Sequence, residues 1–324
     1  MRRGPLIALL LVGIALLAML SLMSGRALVP FSAWLDPADP RWAIVFELRL
    51  PRTLLAIMIG AALGMSGAAM QGYTRNPLAD PGILGVSSLA ALGAVMTLYF
   101  GFTSGATWIL PVAAVAGAVL SVFLLVALAG FTASVITFVL AGVILQSVAG
   151  SAVALALSLA PNPWAAQEIM NWLLGSLTDR SIQEVKLAAP FIAAGLLILW
   201  STRRALDALS LGEASAASLG VNLPRTQLLI ALGVGLATGA SVAVSGIIGF
   251  VGLIVPHLIR WTTGATPGAL LLPSALGGAA LVLAGDTLMR LVPLAVEMKL
   301  GVAMSAIGGP FFLAMLIAMR RRTA

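Results

Sequence analysis

The feature that most limits the fold is a succession of long apolar runs. They lie at residues 6–24, 53–72, 83–100, 108–130, 134–159, 187–202, 226–245, 247–262, 269–290 and 301–319. A helix that crosses a bilayer needs about 20 predominantly apolar residues, so the expectation is an all-α integral membrane protein of about ten transmembrane helices. The run at 247–262 is the shortest and holds the only histidine, His257; nine spans plus a re-entrant segment is the alternative count. No stretch reads as a soluble domain, and residues 1–324 form a single polytopic unit.

Composition agrees. Hydrophobic residues make up 60% of the chain and charged residues 9%, with a mean hydropathy of +1.09, far from soluble averages. Arg2 and Arg3 precede the first run, but that run is longer than the roughly 7–15 residues of a signal core. Gly25-Arg26-Ala27 is also a poor cleavage site, so the first span is read as uncleaved with its N-terminus in the cytoplasm. With ten spans the C-terminus is cytoplasmic too. Placed on that topology, the 18 basic and 11 acidic residues divide into ten basic and three acidic inside, and eight of each outside. The whole net charge of +7 then sits on the inner rim, in the sense of the positive-inside rule. That rim accounts for a pI of 11.2 without nucleic-acid binding. With no cysteine the chain has neither disulfides nor thiolate metal sites.

Three polar connections are long: residues 25–49 and 161–186 outside, and 203–225 inside. Pro30, Pro37 and Pro40 suit an irregular first connection. Trp164 and Trp172 in the second are rings of the kind that settle at the membrane interface. In the third, residues 205–218 have the composition of a short surface helix ended by Gly220. Leu50-Pro51-Arg52-Thr53 is echoed by Leu223-Pro224-Arg225-Thr226, the first entering from outside and the second from inside. This is the pattern of an inverted-topology repeat, with halves at 50–160 and 223–322. Gly60, Gly64 and Gly67 allow close helix packing. Pro77, Pro81, Pro111, Pro256 and Pro310 predict broken helices whose freed carbonyls face protein or a wet cavity.

The chain lacks the phosphate loop G-x-x-x-x-G-K-[ST], because its only lysines, Lys186 and Lys299, follow Val185 and Met298. Energy from ATP therefore has to come from another subunit. An ion-coupled secondary transporter would place acids or histidine in mid-membrane, where the spans hold almost none; Asp286 is close to an end. Gly64-Met65-Ser66-Gly67 matches the G-x-S-G of rhomboid-like intramembrane serine proteases, with His257 as a base, but four-residue matches are cheap in helices rich in Gly and Ser. Both alternatives stay behind a transporter subunit that is not itself an enzyme.

A longer series is more specific. Arg49-Leu50-Pro51-Arg52 leads into Ile59-Gly60-Ala61-Ala62-Leu63-Gly64-Met65-Ser66-Gly67 and then Gln71-Gly72-Tyr73-Thr74-Arg75-Asn76-Pro77-Leu78-Ala79-Asp80-Pro81. Further on come Leu140-Ala141-Gly142-Val143, Trp172-Leu173-Leu174-Gly175-Ser176-Leu177, Leu211-Gly212-Glu213 and Ser218-Leu219-Gly220-Val221. Gly249-Phe250-Val251-Gly252, Val255-Pro256-His257, Asp286-Thr287-Leu288-Met289-Arg290 and Gly308-Gly309-Pro310-Phe311-Phe312 complete it. The series resembles the FecCD family of ATP-binding-cassette importer permeases across residues 49–313. One departure is Lys299, where the family usually shows proline.

The resemblance implies a permease in a bacterial cytoplasmic (inner) membrane, moving an iron chelate inward by alternating access. A ferric siderophore comes first, with haem and cobalamin next. Its implied partners are a dimer of ATPase subunits, a periplasmic or lipoprotein substrate-binding protein, a second permease subunit (a copy or a relative) and membrane lipids. The chain itself has no cofactor, no metal and no catalytic residue; ATP and magnesium belong to the ATPase. Docking of the binding protein falls to Arg49, Arg52 and Arg290. Arg49 and Arg52, three apart, share a face if the helix has begun, and guanidinium forks suit carboxylates; the alternative is that these arginines anchor to headgroups or pair locally, as Asp286 with Arg290. ATPase coupling falls to Leu211, Gly212, Glu213, Ser218, Leu219 and Gly220, and the cytoplasmic gate to Asn76, Pro77 and Leu78.

Overall fold

A computed structural model describes residues 3–25, 27–102, 108–130, 134–263, 266–292 and 297–323. Arg2 and Arg26 of the charge count lie outside the described residues. Among those residues there is no strand. The helices are α1 (Arg3–Met23), α2 (Pro40–Ala43), α3 (Leu50–Thr74), α4 (Val86–Tyr99), α5 (Ile109–Ala129), α6 (Val135–Ser158), α7 (Pro163–Leu173), α8 (Ile182–Ser201), α9 (Arg203–Leu209), α10 (Glu213–Ser218), α11 (Leu223–Ser245), α12 (Val251–Thr263), α13 (Pro267–Leu291) and α14 (Leu300–Thr323).

Each of the ten apolar runs carries a helix, and seven of these helices are long and apolar enough to cross a membrane. The run at 247–262 is the exception in kind. Its first residues, from Gly246 (φ 70°) to Phe250 (φ 66°), are not helical, and α12 rises only about 20 Å at 1.5 Å per residue. It is a partial helix with an extended lead. α4 is also short, because Pro81–Leu84 forms a separate 3₁₀ turn ahead of it.

The connections differ from expectation in three ways. The 161–186 segment holds α7, started by Pro163 and capped by the Asn162 side chain, which accepts the Ala165 N–H at 2.9 Å. Trp164 is exposed, whereas Trp172 is half-buried and packs against the core. The 203–225 connection is two helices rather than one, because Gly212 (φ 102°) breaks the chain between α9 and α10. The 25–49 segment is irregular only at first: from Pro40, α2 runs through a π-helical turn (Ile44–Arg49) directly into α3.

α3, α11 and α13 form the centre. The continuous helical stretch 41–74, which includes α3, and α11 are largely buried, whereas α1 is largely exposed. The outer helices turn Leu16, Phe123 and Ile136 outward, as expected where the surrounding solvent is hydrocarbon. Between helices in lipid the hydrophobic effect gives little drive, so close packing of small residues has to substitute. Gly60 and Gly64 lie against the carbonyls of Gly278 and Ser274 on α13, and Gly67 against that of Gly252 on α12; a Cβ at any of the three would collide with backbone.

α3 and α11, which share the Leu-Pro-Arg-Thr opening, run in opposite directions. The end of α3 reaches α9, where Gly72 meets Leu206, whereas α11 ends where Ser245 O accepts the Ser176 N–H at 2.7 Å. The prolines behave unequally. Pro77 and Pro81 occupy the break between α3 and α4, while Pro310 sits inside the continuous α14. Pro111 lies in the first turn of α5, where its missing N–H costs nothing. Pro256, inside α12, deprives the Gly252 carbonyl of its partner four residues on. Gln71 Nε2 of α3 compensates by donating to Gly252 O (3.4 Å) and Leu253 O (3.3 Å).

Candidate functional site

At the end of the bundle where α3 begins, Arg49, Arg52 and Arg290 come together around a cavity of about 260 Å³ that Arg180, Asp179 and Glu297 also line. Their guanidinium groups are already engaged. Arg49, 6% exposed, donates to the carbonyls of Leu22 (2.9 Å), Met23 (3.0 Å) and Ala27. Arg290 donates to Ser21 O at 2.9 Å, Ser24 O at 3.3 Å and Ser21 Oγ. The last carbonyls of a helix have no partner within it, and cations favour that end of the dipole; two arginines thus cap α1.

Arg52 points elsewhere. Its Nε donates to both Asp286 oxygens (2.9 and 3.0 Å), and it also pairs with Glu297. Asp286 is wholly buried and also faces Arg290 at 3.3 Å. The local pairing of Asp286 with Arg290 that the spacing suggests is therefore present, and Asp286 is no free carboxylate of the kind an ion-coupled carrier would use. Sequence reading missed Arg180 and the capping of α1. The second had a signal in buried cations near a helix end, but nothing local said which end.

At the opposite end α3 stops at Arg75, a non-glycine residue in the left-handed region (φ 53°, ψ 29°). Its carbonyl ladder ends there, and an Asn turn follows: Asn76 Oδ1 accepts the Leu78 N–H at 2.9 Å, and Asn76 O the Ala79 N–H at 3.1 Å. Asp80, in the same connection, accepts the Gly82 N–H at 2.8 Å. Burial pushes its carboxyl above the usual carboxylate range, and the Gly82 hydrogen bond opposes the shift. The gate candidates Asn76, Pro77 and Leu78 thus form a tight turn rather than a helix.

The coupling candidates stand beside it. Glu213 opens α10 and faces Arg75 at 3.7 Å. Ser218 Oγ donates back to Ala214 O at 3.1 Å, and Gly220 (φ 85°) ends the hairpin. Leu211 and Leu219, each 65% exposed, project from either side of α10. α9 is tied to the start of α13, where Asp207 accepts the Gly268 N–H at 2.8 Å. One exposed hairpin is therefore joined both to the turn after α3 and to α13.

No dyad is assembled. Ser66 is wholly buried, and its hydroxyl has no hydrogen-bond partner; neither ring nitrogen of His257 has one. The His257 ring instead meets Trp261 edge-on at 4.7 Å. Among the described residues no group of acids and histidine could hold a metal ion.

The family model of the FecCD transport family matches residues 10–318. The hemin transport system permease protein HmuU of Yersinia pestis is 36% identical over 98% of this chain and 96% of its own length. The Fe(3+) dicitrate transport system permease protein FecD of Escherichia coli is 39% identical over 94% and 95% respectively. Among solved structures, an inward-facing conformation of a metal-chelate-type ABC transporter superposes with a TM-score of 0.88 at 29% identity, covering 97% of this chain and 99% of that one.

Proposed function

The chain belongs to the FecCD transport family, and on that premise we propose that it carries a ferric siderophore from periplasm to cytoplasm, with haem and cobalamin as the next candidates. It is a multi-pass permease subunit of an ABC importer and not itself an enzyme. In this reading it sits in the bacterial inner membrane with both termini cytoplasmic. Two permease subunits frame the path and two ATPases supply the force.

The observation that carries the reading is the pairing of Glu213 on α10 with Arg75 at the end of α3. The exposed Leu211 and Leu219 offer apolar knobs to an ATPase groove, and the ion pair passes displacement of α10 to the turn of Asn76, Pro77 and Leu78. ATPase closure then favours one of two permease conformations through differential binding, which is the only way a ligand can shift such an equilibrium. On the outer face the binding protein docks around the cavity of Arg49, Arg52 and Arg290, its acids competing with the half-buried Glu297 for Arg52.

The test is reconstitution of this chain with its ATPase and binding protein in vesicles, loaded in turn with a ferric siderophore, haemin and cyanocobalamin. The expected result is ATP hydrolysis stimulated by the loaded binding protein, with uptake highest for the siderophore. Uptake without any ATPase subunit would refute the mechanism; faster uptake of haemin or cobalamin would refute the cargo alone.

A further inference from the structure

On the flank of the bundle, α5 and α11 close on each other where Gly239 meets Ala118 and Gly235 meets Val122. Toward the end that carries α9 and α10 they separate. The gap is a groove of about 330 Å³ walled by Val119, Phe123 and Val126 of α5 and by Leu228, Leu232 and Leu236 of α11. Every one of these side chains is hydrocarbon. At its foot Gln227 Nε2 donates to Gly130 O at 3.2 Å and ties the two helices together.

Arg225 stands just below. It precedes Leu228, Leu232 and Leu236 by three, seven and eleven residues, so all four fall on one stripe of α11. It is exposed; its backbone N–H is taken by Asn222 at 2.9 Å, and its guanidinium pairs with no acid among the described residues. From Arg225 to Leu236 the helix rises roughly 16 Å, close to half of a hydrocarbon core of about 30 Å.

We propose that this groove binds one anionic glycerophospholipid, its phosphodiester on Arg225 and one acyl chain between α5 and α11. A guanidinium without a partner at the polar end of a spanning helix is a phosphate donor by geometry and charge. The groove above it lies at a depth that only lipid or another spanning helix reaches. A volume of about 330 Å³ is on the scale of an acyl chain rather than of a helix about 10 Å across, and an acyl chain supplies the dispersion contacts that the gap otherwise forfeits. The charge on the inner rim selects an anionic headgroup over a zwitterionic one.

The test uses the purified full chain, stripped of lipid in detergent and titrated with phosphatidylglycerol or phosphatidylethanolamine, with bound lipid counted by native mass spectrometry. One phosphatidylglycerol is expected to bind at least fivefold more tightly than phosphatidylethanolamine. Arg225→Gln should erase that preference, Leu232→Trp should weaken both lipids by filling the groove, and Arg204→Gln, at another exposed inner arginine, should change neither. Equal binding of the two lipids, or equal losses in Arg204→Gln and Arg225→Gln, would overturn the site. So would unchanged lipid binding in Arg225→Gln with loss of ATPase co-purification, which would assign the arginine to a protein partner.

Discussion

Arg52 holds Asp286 with a two-pronged grip, its Nε within 3.0 Å of both carboxylate oxygens and its Nη2 at 2.8 Å from one of them. The pair joins the first turn of α3 to the last turns of α13, where no water reaches the carboxylate. Its strength matters less than what is left if it is cut, since Asp286 then keeps only the longer contact to Arg290 at 3.3 Å, and a poorly compensated buried charge is costly.

Arg52→Met is therefore expected to destabilise the fold by about 1.5–3 kcal/mol, read as a fall in the thermal unfolding midpoint in detergent. Arg52→Met combined with Asp286→Leu should recover part of the loss, because it removes the poorly compensated charge as well. A double variant less stable than the single would count against this account.

The contact between α3 and α13 predicts position-specific intolerance. Gly64→Ala forces a methyl into the Ser274 carbonyl, and overpacking of this kind costs about 1–3 kcal/mol or more. Gly13→Ala on α1 meets nothing within 4 Å and should be neutral or slightly stabilising. Comparing yields of monodisperse protein for the two variants checks this; similar yields would contradict it.

Arg75 and Glu213 are both partly exposed, so their pair adds less than about 1 kcal/mol to stability. Arg75→Glu should leave the unfolding midpoint nearly unchanged and yet lower uptake per ATP hydrolysed severalfold in the reconstituted complex. The exchange Arg75→Glu with Glu213→Arg should restore most of the ratio. A swap that transports as poorly as the single reversal would remove the pair from the coupling path.

Asp80 gives a pH signature. Burial raises its carboxyl in the folded chain above the unfolded value of about 3.9, so the folded state prefers the protonated form. Its stability contribution is complete below the unfolded value and is lost as pH rises through the folded one. Asp80→Asn, which keeps an acceptor for the Gly82 N–H, should be more stable than the parent at neutral pH, with the gap closing in acid. A gap that widened in acid would reverse the sign.

Much of the fold was legible because hydrocarbon leaves the backbone few choices: a long apolar run has to be a helix, and Gly60, Gly64 and Gly67 on neighbouring turns have to face another backbone. What escaped was set by distant partners. Trp172 looks like an interface ring until α7 turns it inward. The split of 203–225 into α9 and α10 depends on the conformation of Gly212, which composition does not reveal. Arg49 and Arg52 sit three apart, yet one reaches the end of α1 and the other the end of α13. No local pattern records where either end lies, and so the cavity of Arg49, Arg52 and Arg290 could be populated from sequence but its bonding could not.

The backbone-to-backbone seating of Gly60 and Gly64 against Gly278 and Ser274 has a mechanical corollary. At these positions no side chain separates α3 from α13, so a slide of either helix along the other drives backbone against backbone. The seam is a keel in that sense, resisting a slide that an interface filled with side chains would absorb by changing rotamers.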